Sequence, residues 1–301
     1  MWKYSLRFAI LNIEKAVDTL NEEFLSPKSD VIFKLLFGDE RGLEQLTDFL
    51  KSVLRLPAED YEEVTIVDPH LLREGMDDKL GILDVKVKTK SQKIINVEIQ
   101  LLTKPALRER VVFSLAKMAT GQIGAGDGYA KIKRAVSIFI TNFILVPENE
   151  AYHNHYTLYD SETGSQFTDL LEVNVLELVK LPEIDDGTER WNWMKFLTAH
   201  RREELEMLAQ KSPQVGKAVV RLMELSQDER ARMLYESRQM MEWDNRGLQM
   251  QARQEGWQEG RQEGMLAVAK NLLNDGEPID KIVRLTGLTY EEVEGLRAPV
   301  N

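Results

Sequence analysis

The sequence predicts a mixed α/β fold, a central sheet flanked by helices, followed by a mostly helical C-terminal region. Segments with helical spacing of apolar residues come first, and short β-branched or alternating runs follow them. From about Glu189 onward the chain is rich in Glu, Gln, Arg, Met and Leu, a composition typical of helices. The first pattern indicates a sheet with helices on its sides, and the second indicates a separate helical region.

Helices are expected at the N-terminal end. Residues 1–25 should form an amphipathic helical extension, because their apolar run contains charged residues and lacks the cleavage site of an export signal. Ser26 and Pro27 are expected to start the next helix, which Gly38 ends. Apolar residues then recur at helical spacing, which predicts another helix as far as Leu54.

Strands are predicted where β-branched or alternating apolar residues recur. The stretch from Pro105 to about Gly124 has helical composition and should form a helix between the third and fourth strands. We therefore expect a sheet-containing core over residues 26–182. Its predicted strands are 64–67, 82–89, 94–101, 135–146, 152–159 and 173–181.

The next region, 183–265, ends in a repeated QEG motif. The repeat places Gly256, Gly260 and Gly264 along one side of a helix. Each glycine costs a helix about 1 kcal/mol relative to alanine. The stripe therefore indicates either close backbone packing or a flexible linker helix.

The tail, 266–301, has the pattern of a small helix-turn-helix, with Thr289 as the cap of its second helix. That second helix carries three glutamates and one arginine, which would repel phosphates. We therefore favour a protein-contact or packing role for this tail over direct reading of DNA, and a homodimer or another protein contact could form through the C-terminal helical region.

Composition excludes several classes of site. The 301 residues include no cysteine, which rules out disulfides, cysteine-bound zinc and thiol nucleophiles. The formal net charge is −11, so any binding of nucleic acid must be local. No apolar stretch approaches the roughly 20 residues that cross a membrane. We expect a soluble, cytoplasmic protein without a membrane partner.

The most informative stretch is residues 81–100. A hairpin with Lys90, Ser91 and Gln92 as its loop would place Asp84 directly opposite Glu98. Cross-strand partners have Cβ atoms about 5 Å apart, and like charges at that distance repel each other. A shared divalent cation removes the repulsion, and Mg²⁺ on oxygen ligands is the metal that best fits such a pair. A metal ion held there could activate water for phosphodiester hydrolysis.

These residues resemble a known nuclease motif. The order Asp84, Glu98, Gln100 is similar to the PD-(D/E)xK motif in an E-x-Q variant. The phrases SPKSDVIFKLLFG, GILDVKVKTK, INVEIQ and RVVFSLAKMATGQI resemble the successive signatures of the recombination-promoting nuclease (Rpn) and transposase family, and the C-terminal region resembles that family as well.

The resemblance implies a restriction-endonuclease-like fold and metal-dependent cleavage of DNA associated with recombination. It implies that Asp84 and Glu98 bind the metal and that Gln100 stands where the motif has lysine. Asp30 is the best match for a supporting acidic residue. Glutamine cannot carry a positive charge, but Lys86, on the same strand face as both carboxylates, or Lys34, one turn after Asp30, could supply it. We favour Lys86, because the register that positions Asp84 also fixes its place on the strand.

A basic segment follows the hairpin. Residues 101–134 contain seven basic and two acidic side chains, which gives a formal charge of +5. These cations could hold DNA phosphates beside the metal site without reading sequence. The predicted DNA contacts are Lys104, Arg108, Arg110, Lys117, Lys131 and Lys133.

Other interpretations stay open at this point. Asp77 and Asp78 could be the acidic pair, although a solvated loop explains them as well. Asp30 and Lys34 could form only a surface ion pair, since they are four residues apart. His153 and His155 are expected to be structural (both lie on one predicted strand). An inactive DNA- or protein-binding module and a true transposase are the alternative functions.

Overall fold

The computed structural model describes residues 24–67 and 84–296. The chain divides into two compact units, Met1–Glu236 and Ser237–Asn301, called unit 1 and unit 2 below. Almost all of the expected N-terminal extension lies outside the described residues, and so do Asp77 and Asp78. None of the helices in the described part of the chain is both long enough and apolar enough to cross a membrane.

Within the described part of unit 1, six strands form one mixed sheet in the order β1, β2, β3, β4, β6, β5. The outer pairs are antiparallel, whereas β4 runs parallel to both β3 and β6. This mixed sheet confirms the predicted fold class. The strands are β1 (Thr65–Ile66), β2 (Asp84–Lys88), β3 (Ile94–Gln100), β4 (Ala135–Thr141), β5 (His153–Tyr159) and β6 (Gln166–Glu177).

Helices cover both sides of the sheet. The larger core contains Val85, Val97 and Ile138 from one sheet face together with apolar residues of every unit 1 helix except α3. On the other face, Leu107 and Val111 of α3 pack with Phe139. The helices are α1 (Asp30–Phe37), α2 (Leu43–Val53), α3 (Leu107–Thr120), α4 (Glu189–Thr198), α5 (Arg202–Lys211), α6 (Pro213–Gln227) and α7 (Glu229–Asn274), which extends into unit 2.

Trp193 of α4 joins the later helices to the first ones. Its ring centroid lies 5.7 Å from that of Phe37 and 6.1 Å from that of Phe49, both in edge-on arrangements. Its indole Nε1 donates a hydrogen bond to Asp48 at 3.0 Å. The helices after residue 188 therefore share the core of the sheet region. The division expected near residue 183 marks a change from strands to helices within one unit.

Several element ends differ from the prediction. Helix α1 begins at Asp30 and not at Ser26, because Pro27 lies in a turn closed by the Ser29 N–H to Ser26 O bond of 3.1 Å. Strand β4 ends at Thr141 and not at residue 146. Beyond it, the N–H groups of residues 145 and 146 donate to the Glu177 carboxylate at 2.6 and 3.0 Å, which replaces strand pairing. Strand β6 begins seven residues before the predicted start at 173.

Unit 2 contains the predicted helix-turn-helix tail, with α8 (Ile279–Thr286) and α9 (Tyr290–Gly295). Gly287 forms the turn at a φ of 74°, where residues with a side chain are strained. Thr289 caps α9 and exchanges hydrogen bonds with Glu292, as expected. The QEG glycines lie within α7, and a Cβ built on any of them meets no atom within 4 Å. Among the residues that the structure describes, no close packing at these glycines is therefore observed.

Candidate active site

The β2–β3 hairpin has the predicted register. Asp84 pairs with Glu98, and Lys88 pairs with Ile94 on either side of the loop. The loop is fixed by Asp60, whose buried carboxylate accepts hydrogen bonds from Thr89 at 3.1 Å and from two further hydroxyl and ammonium groups. Gln92 takes a left-handed φ of 65° there. Asp60 therefore stabilises the loop that sets the register of Asp84 and Glu98, although it contacts the hairpin at the end opposite to them.

Asp84 and Glu98 lie on the sheet face that α3 covers. Glu98 shares this face with Phe139, its partner on β4, and only 7% of its surface is exposed. Asp84, at the start of β2, is half-buried. The guanidinium of Arg110, on α3, forms an ion pair with Glu98 Oε1. One cation and one like-charged carboxylate therefore face the same buried glutamate.

Burial raises the pKa of Glu98 above its usual value, because the charged form loses hydration. Arg110 opposes this increase through its charge and its hydrogen bond, and Lys104 opposes it more weakly. The charge of Asp84 raises the pKa further. The net effect is a raised pKa, so the protein's own cations do not fully compensate the buried carboxylate. An added positive charge would stabilise the ionised pair.

Helix α1 reaches the same end of β2. Lys34 Nζ donates a hydrogen bond of 2.6 Å to the backbone oxygen of Asp84. Asp30, one turn earlier and 5% exposed, accepts a hydrogen bond from the backbone of Val31 at 2.8 Å. The helix thus connects the expected supporting acid to the strand that carries Asp84. The contact of Lys34 with the backbone was not predicted, since sequence does not give the approach of the helix.

Gln100 and Lys86 occupy opposite sides of the carboxylate pair. Gln100 lies two residues beyond Glu98 and pairs with Thr141, whereas Lys86 lies two residues beyond Asp84 and pairs with Asn96. Because β2 and β3 are antiparallel, each is about 6–7 Å from the pair along its strand, in opposite directions. Both are half-buried. The role of Lys86 stays a prediction.

The predicted DNA-binding cations differ in their contacts. Arg110 contacts Glu98 and so belongs to the candidate site, and the charge of Lys104 also acts on Glu98. Arg108 extends to the Leu145 carbonyl at 2.6 Å and to Glu148 at 3.0 Å. Lys131 is in an ion pair with Asp127. The exposed members of the set are Lys104, Arg108, Lys117, Lys131 and Lys133. Contact with DNA stays a prediction for the whole set.

The donor set fits a hard cation. Among the described residues, no group of three or more His, Asp or Glu side chains could hold a metal ion. Mg²⁺ commonly binds through one or two carboxylates and keeps several waters, so a pair of carboxylates suffices. The oxygens of Asp84, Glu98 and Gln100 are the chemical type that Mg²⁺ prefers. These residues could therefore hold a magnesium ion.

A second buried glutamate was missed by sequence reasoning. Glu172, on β6, lies on the opposite sheet face and is 2% exposed. Arg134 forms an ion pair with it, His155 Nε2 lies 3.2 Å from its Oε1, and Asn174 donates to the same oxygen at 2.7 Å. His153 Nε2 donates a hydrogen bond to Asn174 Oδ1 at 2.9 Å. The two histidines therefore belong to a buried polar network, as expected for structural residues.

A cleft of about 280 Å³ lies away from these carboxylates, between α6 and the start of α7. It contains none of the predicted site residues. We place the candidate site at the hairpin because the paired carboxylates lie there. A DNA backbone can be bound on an open surface, so the site needs no deep cleft. The cleft is lined in part by Arg41, Arg221, Glu224 and Asp228.

Comparison with protein families gives one match. The family model described as PD-(D/E)XK nuclease family transposase matches residues 27–252, which include the sheet, α3 and all the predicted site residues. No curated protein and no solved structure matches the chain.

Proposed function

This chain belongs to the PD-(D/E)XK nuclease family transposases, and on that premise we propose that it is a divalent-metal-dependent DNA endonuclease that promotes recombination. The pairing of Asp84 with Glu98 on one sheet face is the observation that carries the proposal. Two carboxylates opposite each other are unfavourable without compensating positive charge, of which Arg110 supplies only part. A metal ion held by the pair would supply more and would make this a site for phosphodiester hydrolysis.

Asp84 and Glu98 would hold the metal, for which we propose Mg²⁺. When bound, the metal ion would lower the pKa of a water and stabilise the charge that develops on the phosphate. Gln100 would orient that water by a hydrogen bond, since its amide both donates and accepts. Lys86 would supply the positive charge that the motif lysine carries elsewhere, and Asp30 would support the site from α1.

Cations beside the site would hold the DNA backbone. Arg110 already lies at Glu98, and Lys117 lies two turns further along α3. Phosphate contacts of this kind fix the position of DNA without reading its sequence. The remaining members of the proposed set, Lys104, Arg108, Lys131 and Lys133, would add contacts on either side.

Plasmid nicking tests the proposal. The wild-type chain should nick supercoiled DNA with Mg²⁺ and not with EDTA, and Asp84→Asn should lower the rate at least about 10²-fold, because a metal ligand is lost. Glu62→Gln is the matched control, since Glu62 is an exposed carboxylate that pairs with Lys90 at the hairpin loop. Equal rates for wild type and Asp84→Asn would contradict the proposal.

Strand transfer is a separate question. The family description includes the word transposase, and a transposase joins DNA ends as well as cutting strands. A strand-joining assay with labelled ends distinguishes the two. Joined products that depend on Asp84 would replace the hydrolytic proposal, whereas cut products alone support it.

We also propose a protein contact through unit 2. Trp243, Met250 and Trp257 are exposed and lie seven residues apart on α7, a spacing that places them along one side of the helix. A homodimer is the simplest such contact, and sedimentation analysis over a range of concentrations tests it.

We expect the protein to act in the cytoplasm, where it can reach DNA.

A further inference from the structure

Arg110 forms an ion pair with Glu98, a carboxylate that the proposed metal would also bind. Its Nη2 donates a hydrogen bond to Glu98 Oε1. Leu107 and Val111 of the same helix are buried in one cluster with Phe139, the neighbour of Glu98 on β4, so the packing of α3 places the guanidinium at the carboxylate. The charge of Arg110 and a divalent cation would therefore meet at the same side chain.

The guanidinium of Arg110 keeps hydrogen-bond donors for a second partner. In the part of the chain that the structure describes, Nη2 is the only nitrogen of this guanidinium that donates a hydrogen bond, and Glu98 is the acceptor. The side chain is 28% exposed, so a bound molecule can reach it. Glu109 is exposed and adjacent in sequence, but consecutive residues of a helix do not face each other, so it is not that second partner.

The charges at the site decide what that second partner is. Asp84 and Glu98 carry two negative charges when both are ionised, and Arg110 balances one of them. A divalent cation added to this set leaves one excess positive charge, and two cations at one buried carboxylate repel each other. A phosphodiester carries one negative charge, which brings the total to zero. Without Arg110, the divalent cation alone would balance the two carboxylates.

We propose that Arg110 exchanges partners: it donates to Glu98 when no divalent cation is bound, and it donates to a phosphate of the DNA when Glu98 binds the cation. A phosphate accepts parallel N–H bonds from a guanidinium, which suits the donors that Glu98 does not use. The inference rests on the proposed nuclease function and makes Arg110 the residue that links metal binding to phosphate binding. Tight metal binding then depends on the presence of DNA.

Metal affinity without DNA tests the first half of the exchange. Titration calorimetry on the full chain measures the Kd for Ca²⁺, which takes the same kind of oxygen ligands as Mg²⁺. Arg110→Met should lower this Kd about 10-fold, within the range of about 5- to 150-fold that is common for coupled sites, because a competing cation is removed. If Arg110 only oriented Glu98 for the metal, the same variant would raise the Kd. An unchanged or raised Kd would overturn the proposal.

Two further variants separate the local charge from the net charge and from folding. Lys90→Met removes one positive charge at the loop of the same hairpin, where Lys90 pairs with Glu62. It should leave the Kd for Ca²⁺ nearly unchanged, because exposed charges more than about 10 Å apart are screened at 0.1 M salt. Arg110→Lys keeps the charge and should bind Ca²⁺ like wild type. A Kd for Arg110→Lys as low as that of Arg110→Met would contradict a competition between cations.

DNA affinity with and without the cation tests the second half of the exchange. A labelled duplex oligonucleotide is titrated in EDTA and in saturating Ca²⁺ at equal ionic strength, and gel electrophoresis verifies that the strands stay intact. The loss of DNA affinity caused by Arg110→Met should be about 10-fold greater in Ca²⁺ than in EDTA, as the reciprocity of coupled binding requires. Equal losses in the two conditions would show that Arg110 does not transfer to a phosphate, and would overturn the proposal.

Failure of the nuclease proposal has a different signature. If Asp84→Asn nicks plasmids like wild type while Arg110→Met binds Ca²⁺ more tightly, then the nuclease assignment fails and the exchange of partners stands. If Asp84→Asn is inactive while Arg110→Met gains no affinity for Ca²⁺, then the exchange fails alone.

Discussion

Two buried glutamates lie on opposite faces of one sheet, and each is paired with an arginine. Glu98 is 7% exposed beside Arg110, and Glu172 is 2% exposed beside Arg134. The local sequences of the two glutamates do not show which one is functional, because both lie on strands with alternating residues. The side chains that contact each glutamate do distinguish them.

Glu172 has more polar partners than Glu98. Its Oε1 accepts a hydrogen bond from Asn174 and lies 3.2 Å from His155 Nε2, and Arg134 forms an ion pair with its carboxylate, although Oε2 accepts no hydrogen bond. Glu98 has one ion pair and faces the like charge of Asp84. The partners of Glu172 belong to the protein itself, as in a structural polar network. The carboxylates of Glu98 and Asp84 are only partly compensated by the protein's cations and would gain from a cation from solution, which is why we assign the chemistry to Glu98.

Arg134→Met should give the largest effect on stability. It leaves Glu172 buried without its main counter-charge, and breaking such a pair costs about 3 kcal/mol or more. Arg110→Met should cost clearly less, because Asp84 and Glu98 lie nearer to the surface and the pKa of Glu98 is already raised. Urea denaturation at neutral pH measures both variants. Equal losses would mean that the two glutamates are alike.

Lys86→Met should lower the cleavage rate on the order of 10²-fold, as the loss of one group that stabilises the transition state does. Folding and DNA affinity should stay nearly unchanged, since Lys86 is half-buried on the strand. Gln100→Lys should be tolerated or activating. If Lys86→Met cleaves DNA at the wild-type rate and Gln100→Ala is inactive, then Gln100 alone orients the attacking water and Lys86 has no catalytic role.

His153 should give the smallest effect, and it depends on pH. Burial lowers the pKa of His153 to about 4, and its hydrogen bond to Asn174 offsets part of this shift. The unfolded chain therefore takes up this proton first, and stability that is present above about pH 6.5 is lost as the pH falls toward 4. We expect this residue to contribute about 1–2 kcal/mol of that loss, allowing for its partial exposure.

The variant that checks this is His153→Gln, which keeps a polar group for Asn174 but does not titrate in this range. Its free energy of unfolding should fall less than that of wild type between pH 7 and pH 4.5. Parallel losses in the two proteins would show that other groups cause the acid sensitivity.

The hairpin and its carboxylate pair could be predicted from sequence because they depend on local rules. Side chains alternate along a strand, and the length of a loop sets the register, so the loop from Lys90 to Gln92 was enough to pair Asp84 with Glu98. The family resemblance was confirmed in the same region. In this hairpin, the pattern of a few neighbouring residues is enough to predict which side chains face each other.

Contacts between distant elements could not be predicted. The sequence shows that Lys34 and Arg110 are basic, but it does not show that one reaches the Asp84 backbone and the other reaches Glu98. The end of β4 depends on Glu177, which is more than thirty residues away and accepts the N–H groups after the strand. These contacts depend on how the helices pack on the sheet, and the spacing of residues within one segment of the sequence does not predict that packing.

Direct binding of a divalent metal, measured by titration calorimetry with Mg²⁺ or Mn²⁺ in the absence of DNA, tests the central claim that the metal binds at Glu98 and not at Glu172. Wild type and Glu172→Gln, compared under conditions in which both are folded, should bind the metal alike, whereas Glu98→Gln should lose most of the affinity. Equal affinities for wild type and Glu98→Gln, or a loss confined to Glu172→Gln, would contradict the assignment of the metal to Asp84 and Glu98.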